Sequence, residues 1–166
     1  MAKVVLVCGD DISTDVIYPG RYMATVLPSE TPQFAFADNI EFNAKLRAGD
    51  VKPGSVIVAG KNFGCGSSRE QAVSTLKGYD LIVVAQSFAR IFLQNSINLG
   101  LRLVTAPGFA ATEGDDVDID EAEIQNRSTA ATTPVVKMPA ARKAIIDAGG
   151  LIPYTRQLML ERSGQR

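Results

Sequence analysis

The stretch Gly60-Lys-Asn-Phe-Gly-Cys-Gly-Ser-Ser-Arg-Glu70 concentrates the residues of this chain whose types and spacing suit chemistry. Gly64 and Gly66 let a backbone come close to a ligand, and a helix starting just after them presents unpaired N–H groups and about half a positive charge to an anion. With Ser67, Ser68 and Arg69 added, the segment suits a carboxylate. The Arg69 guanidinium can hold both carboxylate oxygens through parallel hydrogen bonds, each stronger than a bond between neutral groups. A serine hydroxyl is a poor base, yet its alkoxide becomes accessible where Arg69 and helix-terminal N–H groups stabilise the negative oxygen. The phosphate-loop alternatives fail on residues: a Gly-Lys-Ser/Thr ending is missing, and Arg69 stands where a dinucleotide loop needs its third glycine. The plainer alternative is a capped helix after a tight loop, with Arg69 solvated.

Composition narrows the chemistry further. The 166 residues include no histidine, which removes a Ser-His-Asp triad, a Cys-His pair, a His general base and every His-bearing zinc site. Two cysteines, Cys8 and Cys65, are too few for an all-cysteine zinc site or an iron–sulfur cluster. Lys and Arg number 17 against 18 Asp and Glu, so there is no basic excess to neutralise phosphates, and nucleic acid is not an expected partner. Apolar runs such as Leu81 to Ala85 fall far short of the roughly 20 residues a membrane span needs. With no charged-then-apolar leader either, the expectation is a soluble, cytoplasmic protein. The length suits a single domain over residues 1–166, large enough to bury roughly two thirds of the surface of the unfolded chain.

The elements that must position the glycine loop follow from pattern. Lys3–Cys8, Ser55–Ala59 and Leu81–Ala85 are short, apolar and β-branched, as buried strands are, and Arg102–Thr105 adds a further short strand. A helix is expected after Gly66, capped by Ser67 or Ser68, with Ala72, Val73 and Leu76 as its apolar stripe. Another is expected after Ser87, with Phe88, Ile91, Phe92, Asn95 and Leu99 on one face and Gly100 ending it. Alternating strands and helices predict right-handed parallel crossovers. Asp11 to Pro28 reads as a long ordered loop, and Pro32 to Arg47 as one or two short helices burying Phe34, Phe36, Ile40, Phe42 and Leu46. Val117–Ile119, Ala122–Gln125 and Thr132–Met138 read as an antiparallel hairpin region beyond the acidic turn Thr112 to Asp120. A helix over Ala140–Ala148 with Pro139 at its first position, and a basic segment Tyr154 to Arg162 of undefined form, close the chain. The fold class is therefore α/β, a mostly parallel central sheet plus an antiparallel hairpin region.

Gly64-Cys-Gly-Ser-Ser-Arg-Glu70, followed by Ser87-Phe-Ala-Arg-Ile-Phe92 and Asn95-Ser-Ile-Asn-Leu-Gly100 and preceded by Gly9-Asp-Asp-Ile-Ser-Thr-Asp15, resembles the small subunits of 3-isopropylmalate dehydratase in the aconitase superfamily. The ending Ala148-Gly-Gly-Leu-Ile-Pro-Tyr154 is similar too, so the resemblance spans the chain. It implies a three-layer, swivelling β/β/α domain that closes over a larger partner subunit. That partner would hold a 4Fe-4S cluster on cysteines of its own, with this chain binding none of it and Cys65 serving as packing. By position in the family, Ser67 would abstract the proton beside a substrate carboxylate, Arg69 would bind that carboxylate, and Ser68 would assist through its hydroxyl or N–H. Asp15 matches an active-site Asp of the family, near the cluster and the leaving water; an Asx-turn closing its loop is the alternative. One position departs from the family pattern Ser-Ser-Arg-Glu-His, since residue 71 is Gln, an amide that neither carries charge nor titrates near neutral pH.

Substrate choice follows from Arg21-Tyr-Met-Ala-Thr25. The resemblance places Tyr22, Met23, Ala24 and Thr25 against the variable group of the substrate, where tricarboxylate-specific relatives tend to carry an Arg. Met23, Ala24 and Thr25 are uncharged, so a buried third carboxylate would go unpaired at a cost of several kcal/mol, whereas an alkyl group would gain on the order of 1 to 3 kcal/mol. Arg21 could aim inward or serve as a surface ion-pair partner, and Lys61 could steer an anion or be solvated. The reading is a two-chain hydro-lyase acting on 2-isopropylmalate. Dimethylmalate, citramalate and homoaconitate types are alternatives, and so is a carboxylate-binding module without catalysis.

Overall fold

Residues 1–164 are described by a computed structural model of the chain. Strand β1 (Ala2–Val7) is followed by a short helix α1 (Thr14–Ile17), 3-10 turns over Gly20–Tyr22 and Thr31–Phe34, and helix α2 (Ile40–Ala48). Then β2 (Val56–Ala59), α3 (Glu70–Gly78), β3 (Ile82–Ala85), α4 (Arg90–Leu99) and β4 (Arg102–Thr105) alternate. Strands β5 (Asp116–Ile119), β6 (Glu123–Asn126) and β7 (Thr132–Pro134) precede helices α5 (Ala140–Asp147) and α6 (Leu151–Gly164).

The described strands join in the order β4-β3-β2-β1-β5-β6-β7. Strands β1 to β4 are parallel, in register Val56–Ile82–Arg102 through Ala59–Ala85–Thr105, and β5 to β7 continue antiparallel from β1. Because β2 and β3 are buried on both faces, every position is apolar and the strands read as continuous runs. One face, with Leu6, Ile57, Ala59, Val83, Ala85 and Leu103, packs against Ala72, Val73 and Leu76 of α3 and Phe92 of α4. The other, with Val4, Val56, Val58, Ile82, Val84 and Val104, packs against Val117 and Ile124 of the antiparallel strands. Helices, parallel sheet and antiparallel strands thus form three layers, the expected β/β/α arrangement.

Several local expectations are corrected. Neither Ser67 nor Ser68 caps α3: the cap position is Arg69, and the Ser67 hydroxyl instead meets Thr14. Ser87 does not cap α4 either, because its Oγ accepts from the Asn62 N–H at 2.9 Å and Ala89 takes the cap position. Of the expected face of α4, Phe92 is buried and Phe88 and Leu99 pack against the same core, while Ile91 is exposed and Ser96 and Ile97 are buried instead. Ile40 is exposed because α2 turns Phe42 and Leu46, four residues apart, inward. The loop from Asp11 contains α1, capped by the Ser13 hydroxyl accepting from Val16 N–H at 3.3 Å. Strand β7 stops at Pro134, after which Val136 N–H reaches the Thr105 carbonyl at 2.8 Å. Helix α5 begins one residue after Pro139, and Tyr154 to Arg162 lies within α6, whose Pro153 falls in the first turn where no N–H is needed. Among the described residues no helix is long and apolar enough to cross a membrane.

Candidate active site

The parallel strands end on one side, and the loops after β1, β2 and β3 run on beside each other there. Cys8 N–H donates to the Val58 carbonyl at 2.7 Å, Gly64 N–H to Ile12 at 2.7 Å and Thr14 N–H to Cys65 at 2.7 Å. Phe63 N–H and Ala89 N–H tie the second loop to the third at 3.0 and 2.9 Å. The carboxyl ends of parallel strands are where α/β sheets generally place ligands. Gly64 holds φ at +81°, and a Cβ there would lie 2.1 Å from Cγ of Phe92, so the loop lies directly on α4. Gly66, at φ +97°, turns the chain so that Ser67 and Ser68 stand exposed ahead of α3.

Ser67 has a specific neighbour. Thr14, buried at the start of α1, donates its hydroxyl to the Ser67 carbonyl at 3.2 Å, and its Oγ1 lies 3.2 Å from Ser67 Oγ. Asn95 of α4 donates its amide to the Ser68 carbonyl at 3.2 Å. Both serines are therefore fixed through their backbone while remaining exposed as residues.

Arg69 is mostly buried and makes an ion pair through Nη1 with Asp15, whose carboxylate is largely exposed. The same nitrogen donates to the Tyr18 carbonyl at 3.4 Å. Buried Nε has no acceptor among the described residues. Gly20 lies alongside: a Cβ there would be 3.2 Å from Asp15 Oδ1 and 3.4 Å from Arg69 Nη2. The structure thus brings Ser67, Ser68, Arg69 and Asp15 into one cluster.

The Tyr22–Thr25 segment adjoins this cluster through the backbone. Gln71, in the first turn of α3, donates Nε2 to the Met23 carbonyl at 3.4 Å. The Tyr18 hydroxyl, on a buried side chain, donates to the Tyr22 and Thr25 carbonyls at 3.1 and 3.3 Å. Tyr22 stacks on Phe34 with ring centroids 4.1 Å apart, while Met23 and Ala24 are exposed. Arg21 pairs with Asp38 at 2.5 Å and lies over the Tyr22 ring, the ion-pair alternative of its two readings. Thr14 and Asn95 entered the sequence reading only as members of motifs or of a helix face, Tyr18 not at all, and none was given a site role. Only the Ser-Thr-Asp run could have pointed to Thr14, since nothing in spacing says which loop it meets.

Neither cysteine suits a metal. Burial, reinforced by Glu113, pushes the Cys8 thiol up to about 11, and Cys65 donates its thiol to the Asp11 carbonyl at 3.4 Å. No group of three or more metal-ligating side chains occurs among the described residues. Among the described residues the donor set therefore does not fit an iron–sulfur cluster. A cavity of about 870 Å³ lies elsewhere, between α5 and the outer edge of β4, and shares no residue with the Ser67–Arg69 cluster.

Residues 13–107 match the model of the aconitase C-terminal domain. The isopropylmalate/citramalate isomerase small subunit of Methanocaldococcus jannaschii is 43% identical over 159 residues, covering 92% of each chain. The 3-isopropylmalate dehydratase small subunit of Moorella thermoacetica is 46% identical over 151 residues, covering 88% of this chain and 89% of the relative. The crystal structure of a 3-isopropylmalate dehydratase from Methanocaldococcus jannaschii superposes with a TM-score of 0.88 at 39% identity, covering 99% of this chain and 98% of the other.

Proposed function

Since the chain belongs to the aconitase C-terminal domain family, among the small subunits of 3-isopropylmalate dehydratase, a hydro-lyase, we propose that it contributes a serine base and a carboxylate clamp to the isomerisation of 2-isopropylmalate to 3-isopropylmalate. The observation that carries this reading is Arg69, held at Nη1 by Asp15 while its buried Nε lacks an acceptor, two residues from an exposed serine. Nε and the adjacent Nη2 form the planar fork that a substrate carboxylate matches. Asp15 orients the guanidinium from the other edge.

Ser67 removes the proton from the carbon beside the bound carboxylate, and returns one on rehydration. In the resting state its hydroxyl can donate to Thr14 Oγ1, whose own proton goes to the Ser67 carbonyl. When Ser67 loses its proton, Thr14 can turn its hydroxyl toward the alkoxide, and Arg69 with the first-turn N–H groups of α3 adds positive field. Ser68, fixed through its carbonyl by Asn95, assists with its hydroxyl. The partner large subunit would hold a 4Fe-4S cluster, which supplies Lewis-acid chemistry at the substrate hydroxyl when bound. Exposed Val16, Met23, Val26, Leu27 and Ile91 flank the loops and suit cover by that partner, in the cytoplasm.

Met23, Ala24 and Thr25 offer no charge to a variable group, and the Arg21 guanidinium is committed to Asp38, so an alkyl substituent is favoured over a third carboxylate. The test is anaerobic co-expression with the large subunit, cluster reconstitution and alkene absorbance with 2-isopropylmalate, citramalate, dimethylmalate and homocitrate. Turnover of an alkylmalate that requires both chains and falls about 10²-fold or more in Ser67→Ala is expected. A stable complex that turns over none of these substrates would overturn the assignment.

A further inference from the structure

We propose that Gln71 is a positioning residue for substrate selectivity, holding the apex of the Tyr22–Thr25 segment against the helix that follows Arg69. This rests on the function proposed above and extends it to a residue that touches no substrate itself. The base of the segment is fixed without Gln71. The Tyr18 hydroxyl binds the Tyr22 and Thr25 carbonyls at 3.1 and 3.3 Å, and the Tyr22 ring stacks on Phe34 at 4.1 Å. Within the segment Met23 N–H returns to Gly20 at 3.1 Å and Thr25 N–H to Tyr22 at 2.9 Å. The Met23 carbonyl at the apex is the acceptor of the Gln71 amide, at 3.4 Å.

Gln71 is half-buried and lies two residues beyond Arg69, so a single element carries both the carboxylate clamp and the tie to the segment. Met23, 48% exposed, and exposed Ala24 gain too little burial to hold them in place alone. Loss of the tie therefore frees the apex while the Tyr18 anchor, the Arg69–Asp15 pair and Ser67 stay as they are. The consequence falls on discrimination between variable groups and leaves the proton-transfer step intact.

The experiment has two readouts. In the free subunit, hydrogen exchange of amides in residues 22–27 should speed up at least about threefold in Gln71→Ala and Gln71→Glu, with α3 unchanged. Gln71→Lys, which restores a donor of similar reach, should return to the wild-type rate. In the assembled, cluster-loaded complex, the ratio of kcat/KM for 2-isopropylmalate over citramalate should fall about 3- to 10-fold in Gln71→Ala, with kcat within about twofold of wild type. Unchanged exchange overturns the tie. Faster exchange with an unchanged substrate ratio, or a loss of kcat that dominates, overturns the role in selectivity. If the wild-type complex turns over neither substrate, the proposed function fails on its own, and the selectivity claim falls with it, whatever the exchange shows.

Discussion

Arg69 carries the proposed clamp because its buried Nε lacks an acceptor among the described residues. Leaving an N–H donor unsatisfied in the interior costs about 1 to 3 kcal/mol, so a carboxylate that reaches Nε recovers binding energy at no cost in new desolvation of the protein. Asp15 is too exposed for its ion pair to add much stability, and in the proposed function its part is to fix the plane of the guanidinium. A planar fork is the property that matters. Arg69→Lys keeps the charge and loses the fork, so the substrate KM in the reconstituted complex should rise at least about tenfold, while urea unfolding of the free subunit changes little. A lysine variant with unaltered KM would show that charge alone suffices.

At the scale of elements, the site depends on loops that lie flat against one another. The contact between Gly64 and Phe92 leaves no room for a side chain, and the left-handed φ penalises one as well. Gly64→Ala should therefore lower the stability of the chain by about 1 to 3 kcal/mol, read from the urea midpoint, and displace Ser67 with it. The antiparallel layer has its own polar fixture. Asp115 accepts from Thr112 N–H at 2.9 Å and from the buried Asn126 amide at 2.8 Å, and these bonds hold its carboxyl below the usual carboxylate range, the Thr112 bond most of all. A depressed folded value means that the ionised form stabilises the fold above the unfolded pKa of about 4, and that this is lost as pH falls through the lower, folded value. Thermal melts between pH 6 and 2.5 should accordingly show a smaller acid decline in Asp115→Asn than in the wild type.

For the whole molecule, the parallel sheet is covered on one face by helices and on the other by β5 to β7, so both faces of the core are closed by the chain itself. The Ser67–Arg69 cluster is different, because Ser67, Ser68 and the nearby apolar residues Val16, Met23 and Ile91 are exposed. The relatives are named small subunits, which implies a larger partner, and the proposed function assigns that partner to this side. A partner that binds only the folded subunit stabilises it by mass action, about 2.7 kcal/mol at a hundredfold excess over Kd. The unfolding midpoint of this chain should thus rise with added large subunit, and no rise at saturating partner would argue against association through this face.

The sequence by itself determined the strand and helix alternation, the apolar runs of β2 and β3, and the stripe Ala72, Val73 and Leu76, because these reside in periodicity and residue type. Tertiary structure decided which hydroxyls were available. Ser67 and Ser87 read as helix caps, yet each meets an adjacent loop instead, since the loops after β1, β2 and β3 are brought together only when the strands pair. The same holds for Thr14 against Ser67, Asn95 against Ser68 and Gln71 against Met23, contacts between residues 27 to 53 positions apart that no local pattern encodes. Local preference states what a residue can bond to, and the sheet selects which partner it meets.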